Sequence, residues 1–302
     1  MLRQLNRYLD FTIYLKLICV ALLWGGTFIA GRMIASEIPA PIAALIRFLI
    51  ASLLLLGLMF CYEGSIAKLN LYQLAITAVM GLTGVTLYNL SFFAALAQMP
   101  ASRTALFVSL TPVLTLIAAR IFFKEKLSYF NYCGAMLALL GTFIVITQGH
   151  LFTQIDQSFG QGEWMMLTAI FSWVIYTLFA KLVHTNSALT TITYSTIWGT
   201  FFLFIYTLIQ FKSIPQLNFG LNIWLALFYL GSLATVLAFI WYAQGIEKIG
   251  AARTIIFNYL VPLFALILSY FILDEQISTS MYMGGALSFI GILMTNKKRA
   301  PN

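Results

Sequence analysis

Charge is scarce in this chain of 302 residues. Asp, Glu, Lys and Arg together make up 9% of it, where a soluble globular protein carries about 25%. Because 61% of the residues are hydrophobic, a water-soluble fold of this length could not hide them all, and that class is excluded. Histidine is limited to His150 and His184, and cysteine to Cys19, Cys61 and Cys133. The cysteine spacing fits neither a disulfide framework nor a zinc site, and the three read as small, buried, inert side chains. Two histidines far apart also leave no constellation for metal or nucleophilic chemistry, which argues against a membrane-embedded enzyme. No stretch is polar enough to form the soluble domain that a sensor or assembly subunit would carry.

What remains is sequence suited to lipid, with a mean hydropathy of +0.93. A spanning helix needs about 20 mostly apolar residues. Runs of that kind occur near 13–35, 40–62, 71–97, 102–122, 129–147, 162–183, 189–211, 221–246, 251–273 and 280–296. The longest polar break, 148–161, reads as a connector between two halves. The first run is too long for a signal-peptide core and no Ala-x-Ala site closes it, so it reads as a retained span.

The basic residues set an orientation. With the N-terminus inside and ten crossings, 13 of the 17 Lys and Arg fall inside. Arg32, Arg103 and Lys212 fall outside, and Arg47 lies within the second run. Excess Lys and Arg marks the cytoplasmic side, which puts both termini there. The net charge of +8 belongs to this loop asymmetry; it makes no continuous basic face of the kind that nucleic acid requires.

Self-comparison reveals a repeat. Arg103-Thr104 recurs as Arg253-Thr254, Pro112 as Pro262, and Glu125 as Glu275. Gly81, Gly134 and Gly141 recur as Gly231, Gly284 and Gly291, and each of these pairs is 150 positions apart. Trp24 with Arg32 corresponds to Trp173 with Lys181, one position short of that spacing. Charged residues and prolines are rare here, so their registered recurrence points to duplication. The halves are 13–147 and 162–296, joined by 148–161. Five runs per half is an odd number, so tandem copies must lie upside down relative to each other. The loop with Glu125 is then cytoplasmic and the loop with Glu275 is outside. Inverted repeats meeting around a midplane site are a recurrent plan of secondary transporters.

The repeated block reads Ala-Leu-Ala-Gln-Met-Pro-Ala-Ser-Arg-Thr from 95, then Leu-Thr-Pro-Val from 110, Lys-Glu-Lys-Leu from 124, Gly134 and Gly141. It resembles the EamA domain of the drug/metabolite transporter superfamily, and residues 243–295 resemble it a second time. Ala-Leu-Leu-Trp-Gly-Gly-Thr-Phe at 21–28 and Arg47 in the second run fit the same family. The resemblance covers 15–147 and 162–296. It implies ten helices in two inverted five-helix repeats around a central cavity, and export or exchange of small metabolites. It does not name the cargo.

None of the nine acidic residues lies in the middle of a run, so no intramembrane proton relay stands out. Facilitated movement is the reading most consistent with this. Arg47, in Leu-Ile-Arg-Phe-Leu-Ile, is the one basic residue well inside a run. It either reaches an interface or helix-end carbonyls, or lines a cavity and meets a substrate carboxylate. Trp24 and Thr27 share a helical face in the first run, and the third carries Tyr88 and Asn89. The sixth has Trp173 and Tyr176, the eighth Trp241 and the ninth Asn258. Each aromatic is either a packing or interface residue or a cavity wall. Each amide is either an interhelix hydrogen-bonding group or a substrate contact. Pro112 and Pro262 mark matched kinks, static or hinge-like. Glu125 and Glu275 read as architectural groups at helix ends.

The expectation is therefore an all-α integral membrane protein of ten transmembrane helices. Its fitting role is exporter or exchanger in a bacterial inner membrane, carrying amino acids or related amphiphilic compounds by alternating access. It would act as a monomer or homodimer, without enzyme activity or cofactor. Its partners would be a small-molecule substrate and the lipid bilayer, with no nucleic acid. A membrane-embedded enzyme or a non-transporting sensor subunit is the alternative.

Overall fold

A computed structural model describes residues 2–64, 68–124, 129–147, 160–183, 187–211, 219–249 and 254–295. Glu125, His150, His184, Arg253 and most of the connector lie outside these residues. Hydrocarbon offers no water to backbone N–H and C=O groups, so an apolar run must satisfy them internally. All ten runs are accordingly helical, and no strand occurs among the described residues.

The first five helices are α1 (Leu2–Ala35), α2 (Ala40–Glu63), α3 (Leu71–Gln98), α4 (Ala101–Phe123) and α5 (Tyr129–Ile146). The remainder are α6 (Gln161–Ala180), α7 (Ala188–Gln210), α8 (Leu221–Ile249), α9 (Leu260–Leu273) and α10 (Thr279–Thr295). Among the described residues seven helices, α1–α4 and α6–α8, are long and apolar enough to cross a membrane. α5 and α9 are apolar but shorter, and α10 has 17 residues. The chain is a multi-pass membrane protein. Cys61, expected inside, is exposed, while Cys19 and Cys133 are half-buried.

The departures from regular helix recur at the spacing of the sequence repeat. α3 carries a π-helical segment, Gly81–Leu87, and α8 carries one at Ser232–Leu237. In each a threonine hydroxyl donates five residues back, Thr86 to Gly81 O at 3.4 Å and Thr235 to Leu230 O at 2.7 Å. α4 breaks into Ala101–Phe107 and Leu110–Phe123, and a 3₁₀ turn, Ile255–Tyr259, precedes α9. Pro112 and Pro262 follow these two breaks, as expected of residues that cannot donate to the carbonyl four positions back. α4 and α9 end on Lys124 (φ 54°) and Asp274 (φ 52°), both left-handed, with N–H groups on Ala119 O and Ser269 O.

The helices gather into two compact units, and each draws on both sequence halves. One comprises Met1–Ile29, Met99–Trp164 and Ala238–Asn302. In it α5 packs along α10, and α9 against the start of α4. A β-carbon on Gly141 would lie 2.5 Å from Gly284 O, and one on Gly284 the same distance from Gly141 O. Only glycine permits that approach. Ser288 Oγ donates to Ala138 O at 3.2 Å beside it.

The other unit comprises Ala30–Gln98 and Met165–Leu237. Here α7 packs on α2 and on the π segment of α3, and α8 packs on α2. A β-carbon on Gly81 would lie 2.5 Å from Ser195 O, and one on its repeat mate Gly231 2.7 Å from Arg47 O. Small residues at such positions let membrane helices approach closely.

Charged groups secure helix ends. Glu275 accepts from Ala101 N (2.7 Å), Ser102 N (2.9 Å) and Ser102 Oγ (2.6 Å), capping α4. An anion at a helix N-terminus satisfies orphan donors and meets the positive end of the dipole. Glu63, at the end of α2, accepts from Thr190 Oγ1 at 3.0 Å and from the Ser187 hydroxyl at the start of α7. Arg32 donates to Leu96 O, a carbonyl whose ordinary helical donor would be Pro100, which has no N–H.

Candidate functional site

The nine candidate residues fall into two groups, one in each unit. In the unit of 30–98 and 165–237, Arg47 projects from α2 into the packed interior, 9% exposed. Its Nη1 donates to Asn89 Oδ1 at 3.0 Å and its Nη2 to Thr235 Oγ1 at 3.2 Å. Asn89 follows the π segment of α3 and donates its own Nδ2 to Val85 O at 2.8 Å. Thr235 lies in the π segment of α8. Arg47 thus bonds to groups held by both irregular segments. Among the described residues its hydrogen bonds go to these two side chains and to no helix-end carbonyl.

Asn89 and Thr235 are both 2% exposed, so the three side chains form a buried polar cluster. Burial of a guanidinium is costly unless an anion compensates it. Among the described residues Arg47 forms no ion pair, and its Nε is buried without a hydrogen-bond partner. The ring of Phe48 lies 5.1 Å from the guanidinium carbon and supplies a weaker cation–π contact.

Next to Asn89 in sequence, Tyr88 opens a ladder of rings. It lies 5.1 Å from Trp173, which stacks on Tyr176 at 4.9 Å. On its other side Tyr88 stacks on Phe92 at 5.8 Å. Gly84, one turn before Tyr88, leaves the space that the Tyr176 ring fills. Four residue types singled out from the sequence (Arg, Asn, Tyr, Trp) therefore meet here.

In the unit that contains 1–29 and 238–302, Trp24 lies 5.2 Å from Tyr242 and 5.8 Å from Phe239. Asn258, in the 3₁₀ turn before α9, donates to the Tyr242 hydroxyl at 3.2 Å. Lys16 donates to Gln244 Oε1 at 2.8 Å and sits 6.0 Å from the Trp241 ring. Thr27 donates to Trp24 O of its own helix at 2.6 Å, which commits that hydroxyl locally. An apolar concavity of about 380 Å³ lined by Leu110, Met136, Leu139, Leu140, Thr142 and Phe143 includes none of the candidates. Its Met136 and Leu140 are more than half exposed, as suits a lipid-facing groove.

Three participants were not singled out from the sequence: Thr235, the π segments, and Lys16 as the partner of Gln244. A signal for Thr235 existed. Thr86 and Thr235 stand 149 positions apart, the offset that also relates Trp24 to Trp173. Among the described residues the other buried arginine, Arg103, lies 2.9 Å from Glu163, which also accepts from Gly160 N at 2.8 Å.

The sequence profile of the EamA-like transporter family matches residues 11–147 and again 160–297. Among curated proteins, the uncharacterized transporter YyaM of Bacillus subtilis (strain 168) is 30% identical over 93% of this chain and 92% of its own. The uncharacterized transporter YetK of the same organism is 28% identical over 96% and 88%. A probable terminal-alkyne amino-acid exporter of Streptantibioticus cattleyicolor is 23% identical over 75% and 74%. One solved crystal structure superposes with a TM-score of 0.64 at 16% identity, covering 94% of this chain and 98% of that one, which is a likeness of fold.

Proposed function

The chain belongs to the EamA-like transporter family, and on that premise we propose that it moves amino acids or related small amphiphilic metabolites across a bacterial inner membrane. The observation that carries this reading is a ring ladder of Tyr88, Trp173 and Tyr176 that starts one residue from Asn89, the hydrogen-bond partner of Arg47. Rings suit an apolar side chain, and amides and a guanidinium suit polar head groups. The printed name of the Streptantibioticus relative, an amino-acid exporter, points the same way.

Movement is by alternating access, with two five-helix repeats of opposite polarity and both termini cytoplasmic. Support comes from the local structures that recur at the repeat spacing: the two π segments, the two proline breaks and the two left-handed caps. Halves of equal local structure give an outward-open and an inward-open state comparable energy, the condition for shuttling. The protein works as a monomer or homodimer on a small-molecule substrate.

The test is counterflow in proteoliposomes made from the purified full chain and loaded with a mixture of the common amino acids. Labelled amino acid should exchange faster than into protein-free vesicles. No exchange of any of them would sink the amino-acid reading. Impermeant thiol labelling of Lys126→Cys and Gln276→Cys, in a background without the native cysteines, should mark opposite membrane faces; labelling from one face would overturn the opposite polarity.

A further inference from the structure

We propose that Arg47 is the receptor for the carboxylate of the transported solute, oriented for that task by Asn89 and Thr235. The proposal deepens the transport reading above and rests on it.

A guanidinium offers five N–H donors in a planar fork and cannot be neutralised by deprotonation in a protein. Two of Arg47's donors are engaged, both by uncharged oxygens, Asn89 Oδ1 and Thr235 Oγ1. Its Nε is buried and has no partner. A permanently charged group, 9% exposed and without a carboxylate partner among the described residues, is costly in an apolar interior, and an anion that binds there offsets that cost. Among the described residues the other buried arginine is paired differently, since Arg103 has Glu163 at 2.9 Å. Absence of a built-in acid at Arg47 therefore distinguishes one position from the other.

The geometry points to a carboxylate in particular. Nε with a neighbouring Nη presents two parallel donors at the spacing of carboxylate oxygens. Asn89 and Thr235 engage one Nη each, and Nε has no partner among the described residues. The ring ladder from Tyr88 through Trp173 to Tyr176 starts one residue from Asn89. A small carboxylic acid with an apolar side chain, such as a neutral amino acid, meets both features.

Both holding groups are also tied to π segments. Asn89 donates to Val85 O and Thr235 to Leu230 O. Such segments are frequent at functional sites. Arg47 is closed off in this structure, so the anion reaches it in a more open arrangement. Any turn of the guanidinium toward the anion is then felt at Val85 and Leu230 together.

The experiment uses the purified full chain with three probe pairs: L-phenylalanine, L-leucine and L-alanine, each against its carboxamide. Ligand-induced thermal stabilisation is read for wild type, Arg47→Gln and Arg47→Lys. The expected result is that at least one acid stabilises wild type and its amide does so at least tenfold more weakly. Arg47→Gln should abolish that preference while keeping the ligand-free midpoint, and Arg47→Lys should restore part of it. Equal binding of acids and amides overturns the proposal. So does binding of no acid at all, or a preference that survives Arg47→Gln. A ligand-free midpoint that falls equally in both variants assigns Arg47 to architecture and overturns it too. Carboxylate binding through Arg47 with no flux in proteoliposomes would keep the site and defeat the transport reading.

Discussion

Arg103, in the unit that contains residues 99–164, lies 2.9 Å from Glu163, while Arg47, in the unit of 30–98 and 165–237, meets an amide and a hydroxyl. Their exposures are nearly equal, 8% and 9%. Burial alone does not separate them; the partner does. Arg103 sits in the first turn of α4, where a carboxylate from the first turn of α6 completes it. Arg47 sits in mid-helix, where the supporting groups are neutral and belong to irregular segments. Arg103 has its counter-charge beside it, and at Arg47 the proposed ligand carboxylate would take that place.

The contrast can be broken most severely at Arg103. Arg103→Gln leaves Glu163 buried without its cation and should cost about 3–5 kcal/mol, read as a large fall in thermal midpoint. The double variant with Glu163→Gln should recover much of it. If Arg47→Gln lowers the midpoint as far, the distinction fails. Glu275→Ala removes three hydrogen bonds to a carboxylate and should cost about 1.5–3 kcal/mol, with Glu275→Gln retaining part. Binding of a carboxylate probe at Arg47 should be unchanged by it.

Smaller effects sharpen the comparison in each unit. Gly81→Ala and Gly231→Ala each press a methyl group on a facing backbone, and each should cost about 1–3 kcal/mol. Similar falls in midpoint would mark the two joints as equivalent, and a neutral Gly231→Ala would show that they differ. Asn258→Leu removes the bond to Tyr242, worth about 1 kcal/mol. It should slow exchange less than Asn89→Leu, which also strips Arg47 of a partner. Thr27→Val should change midpoint by about 0.5 kcal/mol or less, since its hydroxyl serves only its own helix.

Much of this architecture was legible in the residues. Runs near 20 apolar residues long announced the helices, because lipid leaves the backbone no other way to bond. Rare residues recurring at 150 positions announced the matched breaks at Pro112 and Pro262. Trp173, Tyr88 and Asn89 were singled out as polar or aromatic exceptions in apolar runs, and they do meet. What composition could not convey was pairing. Thr235 reaches Arg47 across 188 residues and Glu275 reaches Ala101 across 174. A helix that is apolar on every side carries no stripe to fix its rotation, so its neighbours cannot be read from spacing. The nine candidates, each read as either a packing group or a cavity wall, are found in two groups, one in each unit. The π segments escaped notice for another reason: Gly81–Leu87 and Ser232–Leu237 contain no proline to announce a break.

The contact between Ser288 Oγ and Ala138 O joins equivalent positions of the two repeats, and Gly141 with Gly284 is matched by Gly291 with Gly134. A residue touches its own counterpart only on a two-fold axis, the relation that an isologous dimer imposes. The seam between α5 and α10 thus has the form of a subunit interface.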